Sequence, residues 1–291
     1  MEDLPSTRAE AFTQLGISTA DCARLVGAVT ENPESQALIR ALKEKLQAAG
    51  NGFAADAFER ALLRAAATET APRIANLPVP EPVKKLLREE FEFYCRPSRA
   101  SPLEVGRSPF VIACKMISLR RFPAGPLDWE MGGFPRSWLL KVRKSDLARV
   151  VWFLTARVGG FRPMFFTHTA RQPKNRSLII QKEVFRAYFR IASALELQPE
   201  VKGILTASWF HDDAAVKDNP LLDALNQPYR EEGGLIASMG PAPADSGFLE
   251  HNAARRKAFE SGELQYKIAV AIWPRRAAIA WARKHRELLE R

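Results

Sequence analysis

Through the first seventy residues apolar side chains recur at intervals of three and four, the spacing of one face of an α-helix, and this predicts a helical module over residues 1–70. Thr7 with Glu10, and Ser18 with Asp21, have the spacing of capping pairs, in which a hydroxyl and a carboxylate satisfy each other's backbone donors at a helix start. Asn32-Pro33-Glu34 sets a cap, a first-turn proline and an acid at the head of a further helix. Leu38, Ile39, Leu42 and Leu46 then share one of its faces, and Gly50 closes it. A fourth helix runs through Phe53, Phe58, Leu62 and Leu63. No histidine occurs here, so the module reads as a packing or docking unit rather than a reactive one.

The stretch APRIANLPVPEP (71–82) carries four prolines, which remove backbone donors and favour extended chain. It reads as a linker and marks an expected domain boundary. A connecting region, 83–137, follows, with one helix near 83–95 and an apolar run, Phe110–Ile117, that reads as a strand. From Trp138 the pattern turns mixed. Strands are expected at 138–143, 163–169, 201–210 (from a turn glycine, Gly203), 235–239 and 267–273, with helices at 146–158, 183–197, 248–260 and 276–289. The fold class expected is α+β, a helical module followed by a mixed-sheet α/β domain over 138–291.

Charge sharpens this picture through its distribution. The chain of 291 residues carries a formal +10. Residues 134–190 hold thirteen Lys and Arg against two acids, Asp146 and Glu183, so this stretch alone exceeds the whole excess. Like charges repel unless something anionic is met there. A nucleic acid, a phosphorylated cofactor, an anionic membrane surface and an acidic partner all satisfy that condition, and so do solvated faces paired with acids elsewhere.

Several classes fall away. No apolar run is long enough to span a bilayer, and MEDLPSTRAEAF is too acidic and polar for a secretory signal. Cys22, Cys95 and Cys114 are few, odd in number and far apart, which fits free thiols in a reducing cytoplasm rather than a disulfide framework or a zinc site. Walker A, GxGxxG, HExxH, GxSxG and CxxC motifs are absent.

Two histidines carry candidate chemistry. His168, in Phe165-Phe166-Thr167-His168-Thr169, stands at the end of an apolar strand, where a neutral imidazole can act as general base or simply bond at a strand edge. The loop after it contains Arg171, Lys174 and Arg176, which can hold phosphates. His211 is followed by Asp212 and Asp213; a histidine beside carboxylates can form an acid/base pair, whereas the aspartates alone can cap the next helix. Five tryptophans (Trp138, Trp152, Trp209, Trp273 and Trp281) sit among aliphatic residues and suit core packing better than base stacking.

NAARRKAFESGEL at 252–264, followed by a strand at 267–273, resembles the late helix of GNAT-type N-acyltransferases, in which an Asn, a small residue, an aromatic-Glu pair and a Gly turn precede the last strands. The order strand, helix, strand, helix, strand from 201 to 273 resembles that family too. The resemblance implies a GNAT-like domain that transfers an acyl or aminoacyl group to an amine. It implies that Asn252 and Phe259 lie near the donor, which would be acyl-CoA or another phosphopantetheine thioester. The aromatic here, Phe259, has no hydroxyl, and the segment after 201–210 reads HDDAAVKDN where the family has a phosphate-binding turn. Such a cradle needs backbone N–H groups free of bulk and negative charge. Donors held otherwise, an aminoacyl-tRNA or an acidic carrier protein bearing the thioester, therefore stand beside CoA. In this reading His168, His211 and Asp212 are the catalytic candidates, and Arg171, Lys174 and Arg176 hold the donor. The alternative is a non-catalytic protein that binds nucleic acid or an acidic partner.

Overall fold

The computed structural model describes residues 12, 16–29, 33–48, 57–96, 103–170, 180–244 and 253–289. The expectations for Thr7, Glu10, Asn32, Gly50, Phe53, Asn252 and the loop with Arg171, Lys174 and Arg176 lie outside the described residues. The chain divides into two compact units, Met1–Pro123 and Ala124–Arg291.

The first unit contains helices α1 (Thr19–Ala28), α2 (Pro33–Ala48), α3 (Ala57–Thr70), α4 (Glu81–Cys95) and α5 (Ser108–Ile117), and ends in a short strand, β1 (Arg121–Pro123). Ser18 and Asp21 form the reciprocal capping box that opens α1. Ile39, Leu42 and Leu46 of α2 face the core, but Leu38 is 56% exposed: four residues cannot all lie on one narrow stripe when two of them are adjacent. Phe58, Leu62 and Leu63 of α3 are buried with Cys22, Leu87, Phe110 and Cys114. Buried Arg60 donates to the carbonyl of Tyr94 (3.1 Å) and Arg64 to that of Cys95 (2.7 Å). Two cations thus meet the free carbonyls at the end of α4, where the helix dipole is negative. The proline-rich 71–82 stretch holds a 3₁₀ turn, Ala71–Asn76, inside this unit. Phe110–Ile117, expected as a strand, is helical; Pro109 occupies its first turn, and Phe110, Ala113, Cys114 and Ile117 repeat at helical spacing on its buried face. All three cysteines are free thiols, and burial pushes those of Cys22 and Cys95 up to about 11.

In the second unit, strands β2 (Leu127–Gly132), β3 (Met164–Thr169), β4 (Gly203–Ser208), β5 (Leu235–Pro241) and β6 (Lys267–Pro274) lie in one mixed sheet in the order β2-β3-β4-β6-β5. Its helices are α6 (Lys144–Trp152), α7 (Gln181–Leu197), α8 (Asp213–Asp218), α9 (Asp223–Glu231), α10 (Ala253–Glu260) and α11 (Arg275–Leu289). The mixed α+β class is observed. Strand β2 falls in the Pro- and Gly-rich region where none was expected, and Trp138–Arg143, expected as a strand, begins with a 3₁₀ turn (Arg136–Leu140). That turn sends Trp138 and Leu139 toward the sheet and Leu140 outward.

One face of the sheet (Met164, Leu205, Val270, Ile272, Leu235) is covered by Val142, just before α6, by Val150 of α6, and by Phe153, Leu154 and Val158 of the π-helical turn that extends it. Strand β5 is an edge, and this layer satisfies it: Arg143 N–H donates to the carbonyl of Ser238 (3.1 Å) and the Arg149 guanidinium to that of Ile236 (3.2 Å). The opposite face is aromatic. Trp273 lies against Tyr188, Tyr229 and Trp281 at 5.4–5.9 Å, and its indole N–H donates to the Glu232 carbonyl at the end of α9. Gly203 is not a turn residue: it pairs with Pro274 inside the sheet, and a Cβ there would stand 2.3 Å from the Trp273 carbonyl oxygen. Glycine is needed for the close approach of β6.

Candidate functional site

Strand β3 pairs with β2 over six positions and β4 with β6 over six, but β3 and β4, the parallel pair, match at only two: Phe165 with Ile204 and Phe166 with Leu205. Beyond them the strands are tied, among the described residues, by a side-chain bond from Thr167 Oγ1 to the Leu205 carbonyl (3.4 Å). The strands therefore part toward their carboxyl ends, where His168 and Thr169 close β3 and Thr206–Ser208 close β4. Ligands in sheets with parallel strands collect at such ends.

His168 projects to the α6 side of the sheet, with Phe166 at 4.5 Å. Its Nε2 is 3.2 Å from Oε1 of Glu130 on β2; the side chains are 27% and 18% exposed. Register explains the meeting. His168 stands opposite Asp128 and Phe166 opposite Glu130, so histidine and glutamate are diagonal neighbours on one face. This leaves a partly open imidazole steered by a carboxylate.

His211 is placed differently. Strand β4 ends in a 3₁₀ turn, Trp209–His211, that carries the ring into the α9 layer, against Tyr229. His211 Nδ1–H donates to Asn226 Oδ1 (2.7 Å), and the Asn226 amide donates to the carbonyls of Phe210 (3.0 Å) and Leu222 (3.2 Å). Burial holds this imidazole down to about 4, outweighing the Asn226 bond, which acts to raise it. The unfolded chain therefore binds the proton more readily, so stability is full above about pH 6.5 and is lost as pH falls toward 4. This removes about 3 kcal/mol across that window. Urea unfolding midpoints measured across that window should fall in the wild type and fall less in His211→Gln; equal slopes would show that another group controls the acid limb.

Asp212 occupies the cap position of α8, yet its side chain does not cap it. Its carboxylate accepts the Lys267 N–H (2.8 Å) and so fastens the start of β6 to the end of β4. Asp213 pairs with Arg230 (2.7 Å). Beside them Trp209 and Tyr266 stack at 5.5 Å, 7° from parallel, and the Arg255 guanidinium of α10 lies 5.5 and 5.8 Å from the two rings. Tyr266 O–H donates to Asp218 (2.6 Å); burial and that bond push its phenol up to about 12. Helix α10, which carries Phe259, is thereby brought to the end of β4 with His211 and Asp212. His168 belongs to the neighbouring strand and the opposite layer, and among the described residues no contact joins the two histidines.

Glu130, Asn226, Arg255 and Tyr266 were not singled out by the sequence. Only Glu130 left a signal, the alternation of Leu127, Trp129 and Met131 with Asp128 and Glu130. Among the described residues no three His, Cys, Asp or Glu side chains converge on a metal position, and no helix is long and apolar enough to cross a membrane. No protein-family model matches the chain, and no curated protein matches its sequence. Among solved structures, the chain is similar to an acyltransferase crystallised in complex with decanoyl-CoA, with 15% identity and a TM-score of 0.44 over 74% of this chain and 65% of that one, so that it spans just under two thirds of that protein's length.

Proposed function

We propose that the chain is an acyltransferase that moves an acyl or aminoacyl group from an activated donor to an amine, with His168 as general base. The observation that carries this reading is the parallel pair β3–β4, which opens after two positions and has the His168–Glu130 pair on the strand just beyond. The succession strand, helix, strand, helix, strand behind the GNAT resemblance is present as β4, α8 with α9, β5, α10 and β6, which supports a GNAT-like domain.

With Nε2–H donating to Glu130, Nδ1 keeps the lone pair that accepts the amine proton, and the carboxylate stabilises the imidazolium. The amine nitrogen attacks the thioester carbonyl carbon, the C–N bond forms, the C–S bond breaks and the thiolate leaves. Arg171, Lys174 and Arg176 belong to the connection from β3 to α7. Their guanidinium and ammonium groups would meet the donor's phosphates. Asn252 and Phe259 would border its acyl end. His211 and Asp212 keep a supporting part. An imidazole held near 4 retains no amine proton at neutral pH, and the Asp212 carboxylate is committed to Lys267.

Native mass spectrometry with acyl-CoA, an acylated carrier protein and bulk tRNA at two salt concentrations, followed by assay of thiol release with a panel of amines, tests the reading. The expected result is a CoA-sized or carrier adduct and thiol release that requires the amine. No transfer to any amine from a thioester or from aminoacyl-tRNA, with tRNA binding that weakens steeply in salt, would overturn it in favour of a non-catalytic nucleic-acid-binding protein.

A further inference from the structure

The layer that covers the sheet from Arg136 to Arg162 has an inner and an outer side of opposite character. Inward it gives Trp138, Val150, Phe153 and Leu154 to the core. Outward it presents seven Arg and Lys residues, all exposed, against one acid, Asp146, which pairs with Arg149 (3.2 Å). Two large apolar side chains stand among these cations: Leu140 is 90% exposed and Trp152 58% exposed. Single exposed apolar residues are ordinary on protein surfaces. The combination with a one-sign field is less ordinary: the field attracts an anionic counterpart, and burial of the apolar tips against that counterpart would be favourable.

The two preferences narrow the partner. A nucleic acid offers phosphates and the flat faces of bases, which suit Arg, Lys and Trp, but it admits an aliphatic tip such as Leu140 only at the cost of unstacking a base step. An anionic bilayer offers both. Its headgroups attract basic residues within a Debye length, Trp settles at the interface, and a leucine side chain reaches the acyl boundary. A recess of about 520 Å³ in the same layer adds a built feature: Phe134 and Phe161 line it together with the exposed Arg136 and Arg162. Guanidinium groups pair with a phosphate, and the rings accept the apolar part below it.

We propose that this face docks the chain on the surface of an anionic phospholipid bilayer, lying on it rather than spanning it. This goes beyond the transfer reaction and stands on different residues from it.

The test is co-sedimentation of the full chain with vesicles of phosphatidylcholine alone and of phosphatidylcholine with phosphatidylglycerol, at low and high salt, beside tRNA binding. Two variants separate the components: Lys141→Glu with Lys144→Glu, and Leu140→Ser with Trp152→Ala. All four residues are exposed, so thermal midpoints should match the wild type. The expected result is binding to the anionic vesicles, weakened by salt, with a loss of at least about 10-fold in the charge variant. The apolar variant should lose about 10-fold or more even at low salt. Quenching by bromine-labelled lipid should be seen in the wild type and reduced when Trp152 is absent. Binding to tRNA that is indifferent to Leu140 and Trp152, without vesicle binding, would overturn the proposal in favour of nucleic acid; binding to neither would assign the face to solvent. Neither outcome depends on thiol release, so failure here is distinguishable from failure of the transferase reading.

Discussion

Replacing Trp273 by alanine should destabilise the second unit by about 3–5 kcal/mol, a large fraction of the roughly 5–15 kcal/mol that holds an ordinary domain folded. The indole is fully buried at the centre of the aromatic face, in contact with Tyr188 of α7, Tyr229 of α9 and Trp281 of α11. Three helices are thus fixed to β6 through one side chain. The loss has two parts: the cavity left by a large ring, and the Glu232 carbonyl that the indole N–H now satisfies. Trp273→Phe keeps much of the volume and gives up the bond, so its cost should be smaller, about 1–3 kcal/mol. Urea or thermal denaturation of both variants separates the parts. Equal, small losses would mean that the face repacks and that Trp273 is not its anchor.

Where the sequence was legible, local chemistry and tertiary packing agreed. The Ser18–Asp21 box formed because both halves of the bond lie within one turn. Strands β3, β5 and β6 are short apolar runs bounded by turn residues, and they appear close to the expected positions. Phe110–Ile117 could not be read in the same way. An apolar run broken by a single polar position, Lys115, hardly reveals its period, and here the proline in the first turn was the better guide. Trp138–Arg143 failed for a related reason: alternation over so few residues does not separate a strand from a 3₁₀ turn. The glycine at 203 has the composition of a turn but serves an approach of β6 that only the folded sheet defines.

The candidate site divides along the same line. His168 stood out by itself, as a titratable residue at the end of an apolar strand. Its partner did not, because Glu130 is 38 residues away and the two meet only through the register of β2 on β3. Asp212 had the look of a helix cap, yet its carboxylate accepts a backbone N–H 55 residues further on, a distance no local pattern encodes. Pairings across a sheet decide which polar residues become neighbours, and they are set by the packing of both faces rather than by spacing along the chain.

That register gives the transfer reading its sharpest consequence. If His168 takes the amine proton and Glu130 steadies the imidazolium, His168→Ala should lower kcat by about 10²–10⁴, the usual contribution of a positioned base, with little change in KM for the thioester. Glu130→Gln keeps the shape and an acceptor oxygen but removes the charge, so its loss should lie between wild type and His168→Ala. Because the imidazole is partly open, added imidazole can enter the space left by alanine and should restore part of the rate, but should not do so in Glu130→Gln, where the ring is still present. His211→Gln should affect the acid unfolding limb and leave kcat near the wild-type value, since that ring is engaged with Asn226 inside the α9 layer. Amine-dependent turnover unchanged in His168→Ala would transfer the base to another group. The reverse pattern, turnover lost in His211→Gln and kept in His168→Ala, would place the chemistry on the α9 side of the opened strands.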